Sequence, residues 1–212
     1  MSTKLSANPN TDFIAVPASR VSRTHKLVVT AMLGAVAFVL QLLEFPIPFL
    51  IPSFVQMDFS ELPALLATFS IGPVSGVSVC LIKNVVKVIF KTTTGSVGEL
   101  CNVLIGAGLV VPAGLIYRKM KSRKGALIGA LAGALCMGVL SIPINYFISY
   151  PIYTAFMPLD VIIGMYQELI PSVNGLLSCL VIFNMPFTVL KGLLVTALCF
   201  LVYKPLSPLL HK

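Results

Sequence analysis

The chain has 212 residues, of which 57% are hydrophobic and only 10% are charged, and its mean hydropathy is +0.97. Because a soluble domain carries about 25% charged residues, this composition excludes an ordinary soluble fold and predicts an all-α integral membrane protein. The net charge of +8 does not indicate nucleic-acid binding, since the basic residues cluster in the two tails and in one loop. We expect these clusters to contact the lipid bilayer.

Six apolar segments are predicted to be membrane helices, and several of them approach the roughly 20 residues needed to span the hydrocarbon core. In chain order they cover about residues 26–43, 59–72, 73–90, 99–117, 125–150 and 176–203. The second segment, at about 1.5 Å per residue, reaches only roughly half way across. Lys and Arg are enriched in both tails and in loop 118–124, which predicts cytoplasmic termini and a multi-pass protein of the bacterial cell membrane. The expected organisation is a tail (1–25), one six-helix domain (26–203) and a second tail (204–212).

Two long connections on the outer side are apolar, a composition that contact with water alone would not favour. The first, Glu44–Met57, contains three prolines that disfavour a continued helix. The second, residues 151–171, contains a short amphipathic stretch. Connections of this length in compact proteins are usually functional lids or disordered segments, and of the two we expect a lid over a site in the outer half of the bundle. The residues expected in this gate are Pro46, Pro48, Phe49, Gln56 and Met57.

The last helix carries a polar row within an apolar sequence. Asn184, Thr188 and Lys191 are spaced i, i+4 and i+7, so they lie on one helix face. An ionisable group in a membrane helix costs roughly 2.5–3.5 kcal/mol on insertion scales and needs a partner or a watery cavity. We interpret the row as ligand-facing; the alternative is hydrogen bonding between helices, with Lys191 paired to a structural acid. Asn145, beside Tyr146, is a further amide suited to the polar edge of a planar heterocycle.

Acidic residues occur in two patterns that have a structural and a functional interpretation. Asp58-x-x-Glu61 and Ser96-x-x-Glu99 have the spacing of capping boxes. The same acids are equally well placed to form the rim of a site. Lys83, deep in the third segment, is a plausible partner for one of them.

Motifs of catalysis are missing from the sequence. It contains no GxxxxGK[ST], no HExxH, no GxSxG and no His/Cys metal cluster. The five cysteines lie within the apolar segments without a CxxC pair, and we interpret them as packing residues. We therefore expect neither an enzyme nor a metal or cofactor.

The sequence resembles the riboflavin-specific substrate-binding (S) components of energy-coupling factor (ECF) transporters. The blocks that carry the resemblance are DFSELPALLATFSIGPVSG, LIKNVVKVIFKTTTGSVGEL, VPAGLIYRKMKSRKGALIG and PFTVLKG. The resemblance implies a six-helix protein that binds the vitamin on the extracellular side under a gate. It further implies partners: one transmembrane coupling protein and two ATP-binding-cassette ATPases. Riboflavin would be the transported ligand, not a cofactor.

The resemblance also implies roles for particular residues. Asn145, Thr188 and Lys191 match positions that meet the isoalloxazine edge, although Thr188 stands where an Asn is expected. The ribityl chain would reach the rim formed by Asp58–Glu61 and 92–99. The residues expected to bind the ligand are Asp58, Glu61, Lys83, Thr94, Gly95, Glu99, Asn145, Tyr146, Asn184, Thr188 and Lys191. The residues expected to dock the partner module are Ala31, Gly34 and Ala35, small residues that let another helix approach closely.

Two alternatives remain open at this point. An S component for another vitamin, such as thiamine or biotin, would keep the architecture and change the ligand. A stand-alone secondary transporter driven by an ion gradient would differ in class. Such transporters usually show an inverted repeat, and none is visible in this sequence.

Overall fold

A computed structural model describes residues 22–91 and 96–210, except for the side chains of residues 91 and 203–210. The helices are α1 (Arg23–Leu42), α2 (Glu61–Ser70), α3 (Pro73–Lys91), α4 (Val97–Lys119), α5 (Arg123–Ile144), α6 (Tyr150–Tyr153), α7 (Leu159–Gln167), α8 (Leu176–Cys179) and α9 (Met185–Leu210). Two π-helical turns, Asn145–Ser149 and Leu180–Asn184, make α5–α6 and α8–α9 continuous. The strands β1 (Phe45–Pro46) and β2 (Gln56–Met57) pair antiparallel.

Five helical stretches among the described residues are long and apolar enough to cross a membrane. These stretches are Arg23–Leu42, Pro73–Phe90, Val97–Lys119, Arg123–Tyr153 and Leu176–Val202. The predicted second span corresponds to α2, whose ten residues extend only about 15 Å. The prediction of an all-helical membrane protein is confirmed, apart from the two-residue strands. Of the six predicted spans, five are long helices and one is a half-length helix.

The position of α2 is set by the turn that follows it. Gly72 has φ +139°, a conformation that favours glycine, and it reverses the chain between α2 and α3. Since the two helices run antiparallel from this turn, Glu61 at the start of α2 lies beside Lys83, halfway along α3. The non-helical segment 58–60 therefore lies within the bundle. Such backbone is tolerated at membrane depth where protein surrounds it or it lines a cavity.

The most extensive helix packing joins α4 to α5. It depends on glycines, because a Cβ atom at Gly133 would lie 2.3 Å from the carbonyl oxygen of Leu109. At Gly129 it would lie 2.7 Å from that of Ala113. Small residues of this kind let membrane helices approach closely. One core cluster fills this part of the bundle with alanines and leucines.

The opposite part of the bundle, which we call the cavity end, has its own core. Ile51 and Met57 from the first long connection pack there with Tyr166 of α7 and Phe183 of the second π turn. Both long connections thus fold over the same end of the helices. The predicted amphipathic stretch of the second connection is confirmed as α7. The turn between α4 and α5, with its basic residues, lies at the other end, which we call the basic end.

The two predicted capping boxes are wrong. Ser60 precedes α2 without a side-chain cap bond, and Glu61 is the first helical residue, not the third. Ser96 precedes α4 with φ +73° and likewise makes no side-chain cap bond. Both carboxylate oxygens of Glu61 face lysines, whereas Asp58 faces Lys191 with one oxygen and accepts from Ser60 with the other. Acids paired in this way compensate lysines that are buried among apolar helices.

The α4–α5 contact leads to a test. We expect Gly133→Ala to destabilise the protein by about 1–3 kcal/mol, because the added methyl group meets the α4 backbone, which must shift. Gly164→Ala on α7 is the matched control, since a Cβ there has no neighbouring atom within 4 Å. Thermal unfolding in detergent measures both variants. Equal melting temperatures for the two would contradict this account of the packing.

Candidate functional site

A cavity of about 310 Å³ opens at the cavity end. Its walls come from the first long connection, α2, α3, α4, both π turns, and α9. This volume lies within the range of small-molecule sites, roughly 300–1,000 Å³. The predicted location of a site beneath the first long connection is therefore matched by a cavity in the structure.

The floor of the cavity is a closed ring of charged and polar side chains. Lys191 Nζ lies 2.9 Å from Asp58 Oδ2 and 3.0 Å from Glu61 Oε2. Lys83 Nζ lies 2.7 Å from Glu61 Oε1 and also donates to Ser60 Oγ. Ser60 closes the ring by donating its backbone N–H, over 2.8 Å, and its hydroxyl to Asp58 Oδ1. We call these five residues the charged ring.

The charged ring contains two carboxylates and two ammonium groups, so its formal charge is zero. All four ionisable side chains are buried. Removing one member of a buried ion pair costs about 3–5 kcal/mol because a charge is left uncompensated. The ring therefore ties the connection before α2 to α2, α3 and α9.

Three polar side chains on the cavity wall have unused hydrogen-bonding capacity. Asn145, Thr188 and Asn102 line the cavity, and their side chains make no hydrogen bond to any described residue. Lys191 adds a further donor, because its ammonium group has three N–H bonds, of which one is donated to Asp58, while Glu61 Oε2 lies 3.0 Å away as an ion-pair partner. Asn102, Asn145 and Thr188 are half-buried, so their donors and acceptors are open to the cavity and suit a polar ligand edge.

Asn184 has a different environment from its neighbours on the predicted polar row. Its Oδ1 accepts a hydrogen bond of 2.7 Å from the Tyr166 hydroxyl, and its Nδ2 lies 3.4 Å from the Tyr150 hydroxyl. The two tyrosine hydroxyls also contact each other. This cluster fastens α7 to the helices beneath it. Asn184 lines the cavity, but its hydrogen bonds are directed to Tyr166 in the second long connection and to Tyr150 of α6.

The upper wall carries a second ion pair. Lys87 of α3 pairs with Glu44 at the start of the first long connection, and both side chains line the cavity. Opposite them, Glu99 is buried on the wall formed by α4. Cys101 on the same helix accepts a hydrogen bond from Ser149, which joins α4 to the first π turn. Thr94 and Gly95, predicted for this rim, lie outside the described residues.

Comparison with known proteins decides the family. A family model described as "ECF transporter, substrate-specific component" matches residues 25–203. The chain is an S component of an ECF transporter. It is thus a multi-pass membrane protein and a transporter subunit, not an enzyme, which confirms the predictions on these points.

Several relatives of this S component have descriptive names. "Riboflavin transporter RibU" of Staphylococcus aureus strain TCH60 is 36% identical over 91% of this chain and 95% of its own. "Riboflavin transporter FmnP" of Bacillus subtilis strain 168 is 32% identical over 90% of this chain and 96% of its own. A solved structure described as the S component of a bacterial ECF transporter superposes with a TM-score of 0.70 at 32% identity. It is matched over its whole length and over 90% of this chain.

Some predicted site residues lie away from the cavity of the S component. Tyr146 is 40% exposed on the outside of the bundle, where its ring packs against Phe147. Lys83 belongs to the charged ring but does not itself line the cavity. Of the predicted gate, Gln56 lines the cavity and Met57 is buried in the core of the cavity end. The other predicted gate residues are all exposed, namely Pro46, Pro48 and Phe49.

The predicted docking residues do not share one surface. Ala31 and Ala35 are exposed on one face of α1. Gly34 is buried on another face, where a Cβ atom would lie 2.7 Å from Ile82 Cγ2 on α3. The structure therefore leaves the alanine face open and assigns Gly34 to the packing of α1 on α3.

Sequence reasoning missed the two π turns, which place Asn145 and Asn184. Each turn is followed within two residues by a proline, Pro151 or Pro186. A proline in a helix removes one backbone hydrogen bond and its ring clashes with an earlier carbonyl group. A wider π turn relieves that clash, and such turns are frequent at functional sites. The two prolines were therefore the available signal.

The tyrosine cluster predicts unequal effects of two similar substitutions. Tyr166→Phe removes the donor to Asn184 and leaves a buried amide oxygen without it, which should destabilise the protein by about 1–3 kcal/mol. Tyr153→Phe is the control, because the Tyr153 hydroxyl makes no hydrogen bond to the described residues. Thermal unfolding in detergent compares them. A larger effect of Tyr153→Phe would contradict the role given to the cluster.

Proposed function

We propose that this S component binds riboflavin in the cavity and delivers it into the cell through an ATP-driven partner module. The observation that carries the proposal is the row of free polar groups on the cavity wall: the side chains of Asn145 and Thr188 and the remaining N–H of Lys191. The names of the relatives, riboflavin transporters at 32–36% identity over about nine-tenths of the chain, support the same ligand.

The chemistry of the flavin edge complements this wall. The pyrimidine part of the isoalloxazine ring presents two carbonyl acceptors with an N–H donor between them. An amide such as Asn145 can donate and accept, a hydroxyl such as Thr188 can do either, and Lys191 can only donate. Together they supply donors for both carbonyls and an acceptor for the N–H. Thr188 offers one donor where an asparagine would offer two, and Asn145 supplies the acceptor.

The remaining walls suit the flat faces and the neutral charge of the ligand. Phe187, Met137 and Ile105 line the cavity and provide apolar surface for the ring system. Asn102 and Glu99 on α4 lie on the opposite wall, within reach of a hydroxylated chain. Because the charged ring is neutral as a whole, a neutral ligand above it requires no further counter-charge.

We further propose that the cavity end faces the outside and that both termini are cytoplasmic. The basic residues of the α4–α5 connection lie at the other end of the bundle, and such residues are enriched on the cytoplasmic side of membrane proteins. In this orientation α2 joins the five long helices as a further membrane segment, and its first residue lies near the middle of the membrane. The first long connection then acts as a gate, with its strand pair β1–β2 and the Glu44–Lys87 ion pair holding it over the cavity.

The proposed partners are a transmembrane coupling protein and two ATP-binding-cassette ATPases. The chain itself contains no GxxxxGK[ST] sequence for cradling nucleotide phosphates. The exposed alanine face of α1, with Ala31 and Ala35, is the proposed docking surface, since small residues permit close helix approach.

The ligand can be tested on the purified protein, which contains no tryptophan. We expect titration of the protein into dilute riboflavin to quench flavin fluorescence stoichiometrically, because the ring is stacked against side chains. Unquenched flavin emission, together with binding of labelled thiamine or biotin to the protein, would show that another vitamin is the ligand.

The polar row leads to a prediction of its own. Asn145→Leu and Thr188→Val should each weaken riboflavin binding by roughly 5- to 150-fold, since each leaves a ligand polar group unpaired at a cost of about 1–3 kcal/mol. Tyr146→Phe is the control, because Tyr146 lies on the outside of the bundle. The dissociation constant from the same fluorescence titration is the readout. Weaker binding by Tyr146→Phe, with both cavity variants unaffected, would refute the site.

A further inference from the structure

Among the residues that the structure describes, Lys83 is the most deeply buried charge, and it does not line the cavity. Its exposed fraction is 0%, and it lies midway along α3, ten residues after Pro73. Ionisable residues at such positions are costly and mark function by default. Its only route to a ligand is through the residues to which it is bonded, Glu61 and Ser60.

The geometry of the charged ring shows how that route works. Each carboxylate in the ring has two oxygens that face different partners. Glu61 uses Oε1 for Lys83 and Oε2 for Lys191, whereas Asp58 uses Oδ1 for Ser60 and Oδ2 for Lys191. Lys83 therefore holds Glu61 Oε1 directly and Asp58 Oδ1 through Ser60. Without Lys83, neither acid would be held on that side by a charge.

The charge of the ring depends on Lys83 as well. With Lys83, two carboxylates are matched by two ammonium groups. Without it, Asp58 and Glu61 would share Lys191 alone, and the buried floor would carry a net charge of −1. A buried net charge is disfavoured by desolvation, and two neighbouring carboxylates favour the protonation of one of them.

We propose that Lys83 is a positioning residue for the ligand: it keeps both acids of the floor ionised on either side of Lys191, so that one N–H of Lys191 is presented to the cavity throughout the neutral pH range. This inference rests on the proposed function for the identity of the ligand. The protonation state of the floor does not depend on that identity and can be measured separately.

Other titratable groups around the ring belong to four elements. Cys80 is buried on α3 one turn from Lys83. Further up the cavity, the ion pair of Glu44 and Lys87 spans the connection after α1 and α3, and Glu99 is on the α4 wall. Tyr150, the first residue of α6, lines the cavity. The Glu44–Lys87 pair balances itself, so it does not compensate the floor.

Infrared spectroscopy of the full chain in detergent tests the floor directly. In Lys83→Met we expect the carbonyl stretching band of a protonated carboxyl group near neutral pH, which disappears as the pH is raised. The native protein should show no such titrating band between about pH 6 and 9. Absence of the band in folded Lys83→Met would overturn the proposal. A titrating band in the native protein that Glu61→Gln removes would also overturn the proposal. This second measurement does not require Lys83→Met to fold.

The affinity for riboflavin supplies a second readout. The bound ligand removes water from the floor and favours the neutral, protonated form, so the dissociation constant of Lys83→Met should rise with pH. For one linked proton the rise is up to about tenfold per pH unit. The native protein should bind equally well across the same range. A flat profile for Lys83→Met, at any affinity, would contradict the proposal.

A charge-balanced double variant separates positioning from simple packing. Glu61→Gln/Lys83→Met removes one charge of each sign and leaves Asp58 paired with Lys191. We expect the titrating band to vanish and the pH profile to become flat again, whatever the absolute affinity. A role for Lys83 in packing alone predicts no such restoration. If the native protein does not bind riboflavin, the proposed function fails while the infrared measurement still decides the role of Lys83.

Discussion

The buried charged ring is the interaction on which the rest of the structure depends. Four ionisable side chains lie inside a bundle of apolar helices, where an unpaired charge is costly. They are tolerated because each is bonded to an opposite charge from another segment of the chain. Lys83 comes from α3, Lys191 from α9, Glu61 from α2, and Asp58 from the connection before it. The arrangement of these segments follows from that pairing.

The half-length helix α2 is the structural consequence of this pairing. A helix that began at the membrane surface would carry its first acid far from the middle of α3. Because α2 begins within the bundle, beside the middle of α3, Glu61 meets Lys83 and the cavity is left open above it. The first long connection then covers this space. The short length of α2 thus determines the position of the charged ring, of the cavity above it and of the connection that covers the cavity.

The two π turns determine the direction of the asparagine side chains on two long apolar helices. Asn145 begins the first turn and faces the cavity, whereas Asn184 ends the second and holds Tyr166 of α7. One asparagine is left free for the ligand and the other fastens the second connection. The prolines that follow the turns are tolerated because the wider turn removes the clash of their rings.

Local patterns in the sequence predicted the helices and the face shared by Asn184, Thr188 and Lys191, which all line the cavity. They also predicted an acid partner for Lys83, and the structure confirms Glu61 in that place. These features depend on helical periodicity and on the cost of buried charge, which a sequence shows. The roles of Asp58 and Glu61 as caps were wrong, because long-range pairing with lysines outweighs a local cap.

The orientation of Tyr146 was not predictable from its neighbours in the chain. It follows Asn145 directly, but the π turn changes which residues face inward, and Tyr146 points away from the cavity. Similarly, Gly34 was grouped with Ala31 and Ala35 by spacing, although its packing on Ile82 depends on the position of α3. Such assignments require the relative placement of helices.

A structure of the protein with bound riboflavin would test the central claim most directly. The account predicts the pyrimidine edge of the flavin within hydrogen-bonding distance of Asn145, Thr188 and the Lys191 ammonium, with the charged ring intact beneath it. A flavin oriented with its dimethylbenzene edge toward these residues, or bound outside the cavity, would contradict the account.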